Sequence, residues 1–96
     1  MKYFHRTSVT PDQVIDAARR FFRSSLGTAE EQPRRIGFTG TIGRIGVTVQ
    51  AEGGHYTLVT VETDQVGESE ADKLAKRYLT LVHQLEHPTH RPIGAY

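Results

Sequence analysis

Gly37-Phe38-Thr39-Gly40-Thr41-Ile42-Gly43-Arg44-Ile45-Gly46 places a glycine at every third position. Three is neither the helical nor the strand period, so a regular amphipathic element does not explain the spacing. A hairpin turning at Thr41-Ile42 does. Gly40 then faces Gly43, Gly37 faces Gly46, Phe38 faces Ile45 and Ile36 faces Val47. Those four apolar residues share one face of the ribbon, as a half-buried hairpin requires. Gly37 and Gly46 leave a patch without side chains on the other face, beside Arg35, Thr39 and Thr48. Neither Thr41 nor Ile42 favours positive φ, so a longer loop using both flanking glycines is expected. A phosphate cradle would be the other use of such a run. Phosphate loops open a helix, whereas this run leads into a strand and lacks a Gly-Lys-Ser/Thr ending.

Downstream, Gly53-Gly54 marks a second hairpin. A two-residue turn would set Val49 opposite Leu58. A bulged turn would set Val49 opposite Val59 and Val47 opposite Val61, which keeps more valines on the core face and is preferred. Strands near 34–40, 43–51 and 56–63 therefore form a meander. Ser69-Glu70-Ala71-Asp72 opens a helix by capping. Ala71, Leu74, Ala75, Tyr78, Val82 and Leu85 follow at helical spacing, Leu79 and Leu81 widen the stripe, and His87-Pro88 ends it. Residues 89–96 read as an irregular tail.

Upstream, residues 2–9 read as a strand. Thr10-Pro11-Asp12-Gln13 supplies a capping box with proline at the first helical position. Val14, Ile15, Ala18, Phe21, Phe22 and Leu26 form the apolar stripe of this first helix, and Gly27 is the expected stop. Residues 28–33 read as a loop. The expectation is one α+β domain over 1–88 in the order β-α-β-β-β-α. It has a four-stranded, mainly antiparallel sheet with two helices on one face, and strand 2–9 pairs with strand 56–63.

The chain has 96 residues, 24% charged and 36% hydrophobic, a globular rather than disordered balance. A domain this short buries one core but builds a deep private pocket with difficulty, so a homodimer is expected. A net charge of +1 removes the global electrostatic argument for nucleic acid. Without cysteine, disulfides, thiolate metal sites and thiol catalysis are excluded. No apolar run approaches a membrane span, and Met1 to Arg6 lacks the apolar segment of a secretion signal. A cytoplasmic protein is the expectation.

Candidate sites are few. His83, His87 and His90, with Glu86 among them, have a metal-like spacing. Cations are also favourable at a helix C-terminus, and neither a metal site nor a cofactor is assigned. Arg19, Arg20, Arg23, Arg34 and Arg35 could gather into an anion-binding patch, which Glu30 and Glu31 could neutralise. Tyr3, His5, Tyr56 and Tyr78 suit the wall of an organic-ligand pocket. Glu52, Glu62, Asp64 and the serines show no catalytic spacing, and enzymatic activity is the least supported reading.

Two stretches carry a family resemblance: His5-Arg6-Thr7-Ser8-Val9-Thr10-Pro11-Asp12-Gln13-Val14, and Gly54 to Val61 running into Leu74–Leu85. The pattern of strand, helix, meander and long final helix resembles a shortened helix-grip protein, of the START-like group that binds lipids and other hydrophobic ligands. The resemblance implies non-catalytic binding of a small, partly apolar molecule between sheet and helices, completed by dimerisation. Tyr56, Tyr78, Phe21 and Phe22 are the wall candidates. The second half also resembles a double-stranded-RNA-binding domain, with Ala71-Asp72-Lys73-Leu74-Ala75-Lys76-Arg77 at the start of its final helix. That resemblance implies phosphate contacts from Lys73, Lys76 and Arg77. A structural assembly subunit without a ligand is the remaining alternative.

Overall fold

The computed structural model describes residues 1–86. The order is β1 (Lys2–Thr7), α1 (Pro11–Phe22), β2 (Gly27–Gln32), β3 (Arg35–Gly40), β4 (Gly43–Glu52), β5 (Tyr56–Thr63) and α2 (Glu70–Glu86). The strands form one sheet in the order β1-β5-β4-β3-β2, and every pairing is antiparallel. The fold is therefore α+β with five strands, not four, in the order β-α-β-β-β-β-α.

The glycine run folds in the mirror register. Gly37 pairs with Gly46, Phe38 with Ile45, Ile36 with Val47 and Gly40 with Gly43. The turn differs from the expectation. It keeps only Thr41 and Ile42 between the strands, neither takes positive φ, and the strain passes to Gly43 at φ +125°. Only glycine adopts that conformation without steric cost. The second hairpin takes the preferred register, with Val47 on Val61 and Val49 on Val59, across a loop of residues 53–55. Gly53 and Gly54 supply φ +59° and +74° for its turn. β1 pairs with β5, Tyr3 on Val61 and His5 on Val59.

Residues 28–33, expected to be loop, instead belong almost wholly to the edge strand β2. All six residues of β2 are exposed, so it has no apolar alternation to reveal it. It is held by its ladder to β3 and by ion pairs, Glu30 with Arg35 at 2.8 Å and Glu31 with Arg19 at 2.6 Å. A bulge between Thr28 and Glu30 and its acidic side chains make it a poor template for another strand.

Both helices begin as their capping residues dictate. Gln13 N–H donates to Thr10 Oγ1 and Thr10 N–H to Gln13 Oε1, closing the capping box. Asp72 N–H donates to Ser69 Oγ at the start of α2. α1 ends at Phe22 rather than running on to Gly27. The N–H groups of Ser25 and Leu26 close on the Phe22 carbonyl, and Leu26 folds back into the core. Gly27 opens β2. The helix stop at His87-Pro88 and the tail at 89–96 lie outside the described residues.

One face of the sheet carries the core. Ile36, Phe38, Ile45, Val47, Val49, Val59 and Val61 meet Val14, Ala18 and Phe22 of α1 and Ala71, Ala75, Tyr78 and Val82 of α2, all buried. Among the described residues no helix covers the other face, and the glycine patch there is roofed by side chains. A Cβ on Gly46 would stand 3.2 Å from Arg35 Nη2, and one on Gly37 3.4 Å from Glu30 Cβ. Arg35 also donates to Thr48 Oγ1 at 2.8 Å. The Glu30–Arg35 pair thus occupies the space that the absent side chains leave.

Candidate functional site

Strand alternation aims Tyr3, His5 and Thr7 beneath α2 and leaves Lys2, Phe4 and Arg6 outside. α2 runs over this edge strand in the same direction. Tyr3 meets Asp72 near the start of the helix, and Ser8, just past β1, meets Glu86 at its end. The seam between β1 and α2 is polar along its length, unlike the contact of α2 with the rest of the sheet.

At the first end of the seam, the Asp72 carboxylate is fully buried. It accepts from the Tyr3 hydroxyl, from Glu68 N–H at 3.1 Å and from Lys76 Nζ at 3.2 Å. The Tyr3 hydrogen bond is the main reason that Asp72 lies below the usual carboxylate range, with Glu68 and Lys76 adding to it. The same bond raises Tyr3, and Asp72 raises Lys76. The Lys76 ammonium stands 5.6 Å from the Tyr3 ring centre. Glu68 holds φ +70° in the turn before α2, so Asp72 also anchors a strained residue.

At the other end, His5, His83 and Glu86 converge. Their potential ligand atoms all lie within 4.8 Å of one another. The two imidazoles meet edge to face at 6.1 Å between centres. Glu86 Oε1 accepts from Ser8 N–H at 2.7 Å, which fixes the carboxylate against β1. His5 Nε2 is buried and, among the described residues, has no hydrogen-bond partner. Burial lowers the His5 imidazole from its ordinary value, opposed by the Glu86 carboxylate. Two imidazoles and a carboxylate are a donor set that divalent first-row metals accept.

A groove of about 410 Å³ lies between the helices. Val9, Ala17, Leu81 and Leu85 give it an apolar floor, and Gln13, Asp16 and Arg20 a polar rim. Arg20 and Asp16, one turn apart on α1, pair along the rim at 2.9 Å.

The residues singled out in the sequence scatter among these regions. Phe22 and Tyr78 are fully buried, and Phe22 packs on Tyr78 and Phe38 at 5.2 and 4.8 Å between ring centres. Phe21 stands edge-on to Phe22 at 5.0 Å. Burial raises the Tyr78 hydroxyl, which donates to the Val14 carbonyl at 2.7 Å. Tyr56 is 56% exposed, next in β5 to the buried Thr57, and so faces away from the helices. Three of the four wall candidates therefore come together as core and the fourth lies across the sheet. Of the arginines, Arg19 and Arg20 pair with Asp16, Arg34 with Asp12 and Arg35 with Glu30. Lys73 and Arg77 lie beside Ile42 and Leu74 in a shallow depression, while Lys76 is turned to Asp72. His87 and His90 lie outside the described residues.

The union of His5 with His83 and Glu86 was not found in the sequence, where His5 grouped with the tyrosines and the other two with His87 and His90. The usable signal was the inward phase of Tyr3, His5 and Thr7 on a strand that the final helix must cross.

No family model and no curated protein matches the chain. Among solved structures it is similar to a conserved protein of unknown function from Enterococcus faecalis, EF2215. The TM-score is 0.62 at 13% identity, over 95% of this chain and 73% of that one. That likeness is one of fold. Among the described residues, no helix is long and apolar enough to cross a membrane.

Proposed function

We propose that the protein is a small, non-catalytic binding protein for a partly apolar small molecule, built as a shortened helix-grip domain. The groove between α1 and α2 carries this reading. Its volume of about 410 Å³ falls in the range of small-molecule sites, and it combines an apolar floor with a few polar groups. Support for the helix-grip reading comes from the element order. The first strand lies beside the last, and a long final helix crosses both. The space between sheet and helices is filled by Phe22 and Tyr78 themselves, which moves the ligand's place outward to the groove.

Dimerisation belongs to the same proposal. Phe4, 63% exposed, and Tyr56, 56% exposed, stand on the sheet face opposite the helices, with Arg6 and Leu58 paired between them, a mixed surface whose exposed rings a second copy could cover. Sedimentation showing a monomer at high micromolar concentration would remove this part.

The test is an NMR titration of labelled protein with decanoate and with decanol. Saturable shifts confined to Val9, Ala17, Leu81 and Leu85, lost in Leu81→Asp, are expected. Folded protein without saturable shifts there would overturn the reading. Binding of duplex RNA that weakens steeply with salt and perturbs Lys73, Lys76 and Arg77 would replace it with the RNA-binding alternative.

A further inference from the structure

We propose that His5, His83 and Glu86 form a binding site for a divalent first-row metal ion, of which Zn²⁺ is the representative. The three residues come from opposite ends of the chain, and the crossing of α2 over β1 brings them together. Donor atoms around a tetrahedral zinc ion, bound at about 2.0–2.2 Å, lie roughly 3.3 Å from one another. The three donors here lie within 4.8 Å, so contraction by at most about 1.5 Å closes the set, within reach of small side-chain torsions.

Two further observations point to a ligand. The first is His5 Nε2, a buried polar atom without a hydrogen-bond partner among the described residues. Such atoms are costly and rare in folded proteins. A neutral imidazole nitrogen with a lone pair gains its partner when a cation sits before it. The second is the Ser8 N–H bond to Glu86 Oε1. It holds the carboxylate in place, as outer-shell hydrogen bonds do for metal ligands, and a carboxylate has acceptor capacity for both a backbone N–H and an ion.

The chemistry of the donors selects the class of ion. Imidazoles suit zinc, cobalt, nickel and copper, whereas calcium and magnesium take oxygen donors. Three protein ligands leave one tetrahedral position for water or for an anionic group of a ligand. The site is separate from the α1–α2 groove in its residues, and its existence does not depend on the groove being occupied.

The experiment uses the untagged, chelator-treated 96-residue chain. Zn²⁺ is titrated in competition with a chromophoric chelator, and Co²⁺ is followed by its visible absorption. One equivalent is expected to bind. His5→Gln and His83→Gln should each weaken binding by more than the roughly 10- to 100-fold that loss of an outer-shell partner causes. Glu86→Gln should weaken it less, since the amide oxygen remains. The double variant His87→Ala/His90→Ala should bind as the parent does. In the unsubstituted protein, Zn²⁺ should shift the imidazole ¹⁵N resonances of His5 and His83, a readout independent of whether any variant folds. Absence of saturable binding, binding that survives His5→Gln, or loss confined to the His87/His90 variant would overturn the proposal.

Discussion

The helix–sheet interior and the β1–α2 seam are built from similar side chains and behave differently. Both hold tyrosine and aromatic or imidazole rings beneath a helix. In the interior, Phe22, Phe38 and Tyr78 pack on one another and the single polar tip, the Tyr78 hydroxyl, is satisfied by the Val14 carbonyl. In the seam, charges and imidazoles meet, one carboxylate gathers three donors, and one imidazole nitrogen has no hydrogen-bond partner among the described residues. A closed aromatic layer supplies stability and offers a ligand nothing. An edge strand crossed by a helix leaves polar groups half-shielded, where their interactions are stronger than in water and their vacancies more costly.

The comparison breaks first on stability. Phe22→Ala opens the centre of the aromatic layer and should lower the unfolding free energy by about 3–5 kcal/mol in urea denaturation. Tyr78→Phe keeps the packing and loses one hydrogen bond, for a loss of about 1 kcal/mol. If Tyr78→Phe matched Phe22→Ala, the interior would rest on a polar anchor and the contrast with the seam would fail.

Acid titration separates the regions next. The folded protein holds Asp72 below its ordinary value, mainly through Tyr3. Its contribution is therefore present above the unfolded value of about 3.9 and disappears as pH falls through the folded one. Asp72→Asn should lower stability at pH 7 and flatten the stability–pH curve below about pH 4, while Tyr78→Phe leaves that curve's shape unchanged.

A smaller effect belongs to His5, which burial holds below its ordinary value. As pH falls below about 6.5, the unfolded chain takes up a proton that the folded protein refuses, and stability declines. In chelator-treated protein, His5→Gln should remove part of that decline. An unchanged slope between pH 7 and 5 would show that His5 is not shielded. Smallest of all, Glu68→Gly relieves φ +70° before α2 and should raise the melting temperature slightly. The relief of about 1–2 kcal/mol is partly offset by the entropy of glycine in the unfolded chain.

The two regions also differ in how far the sequence disclosed them. The strand registers and helix starts of the interior were legible because their signals are local and periodic, while Phe21, Phe22 and Tyr78, read as ligand walls, pack as core. The mirror placement of Gly37, Gly40, Gly43 and Gly46 set one hairpin register, and the valines of β4 and β5 set the other. Capping residues Thr10 and Ser69 marked the helix starts. β2 was missed because Gly27–Gln32 buries nothing. Its strand character comes from β3's backbone and from arginines elsewhere in the chain, which no local pattern encodes. The His5–His83–Glu86 cluster was missed for a related reason. Each residue had an ordinary local reading, and only the crossing of α2 over β1 joins them.

The central proposal about the seam is that it, and not the aromatic interior, holds a metal ion, apart from the α1–α2 groove proposed for an apolar molecule. Anomalous diffraction at the zinc edge from crystals soaked in Zn²⁺ tests it most directly. A peak bonded to His5 Nε2, a His83 nitrogen and a Glu86 oxygen, with the Phe22–Tyr78 layer unmoved, is the expected result. A structure with zinc bound elsewhere, or one in which His5 Nε2 finds a protein partner and no metal, would contradict it.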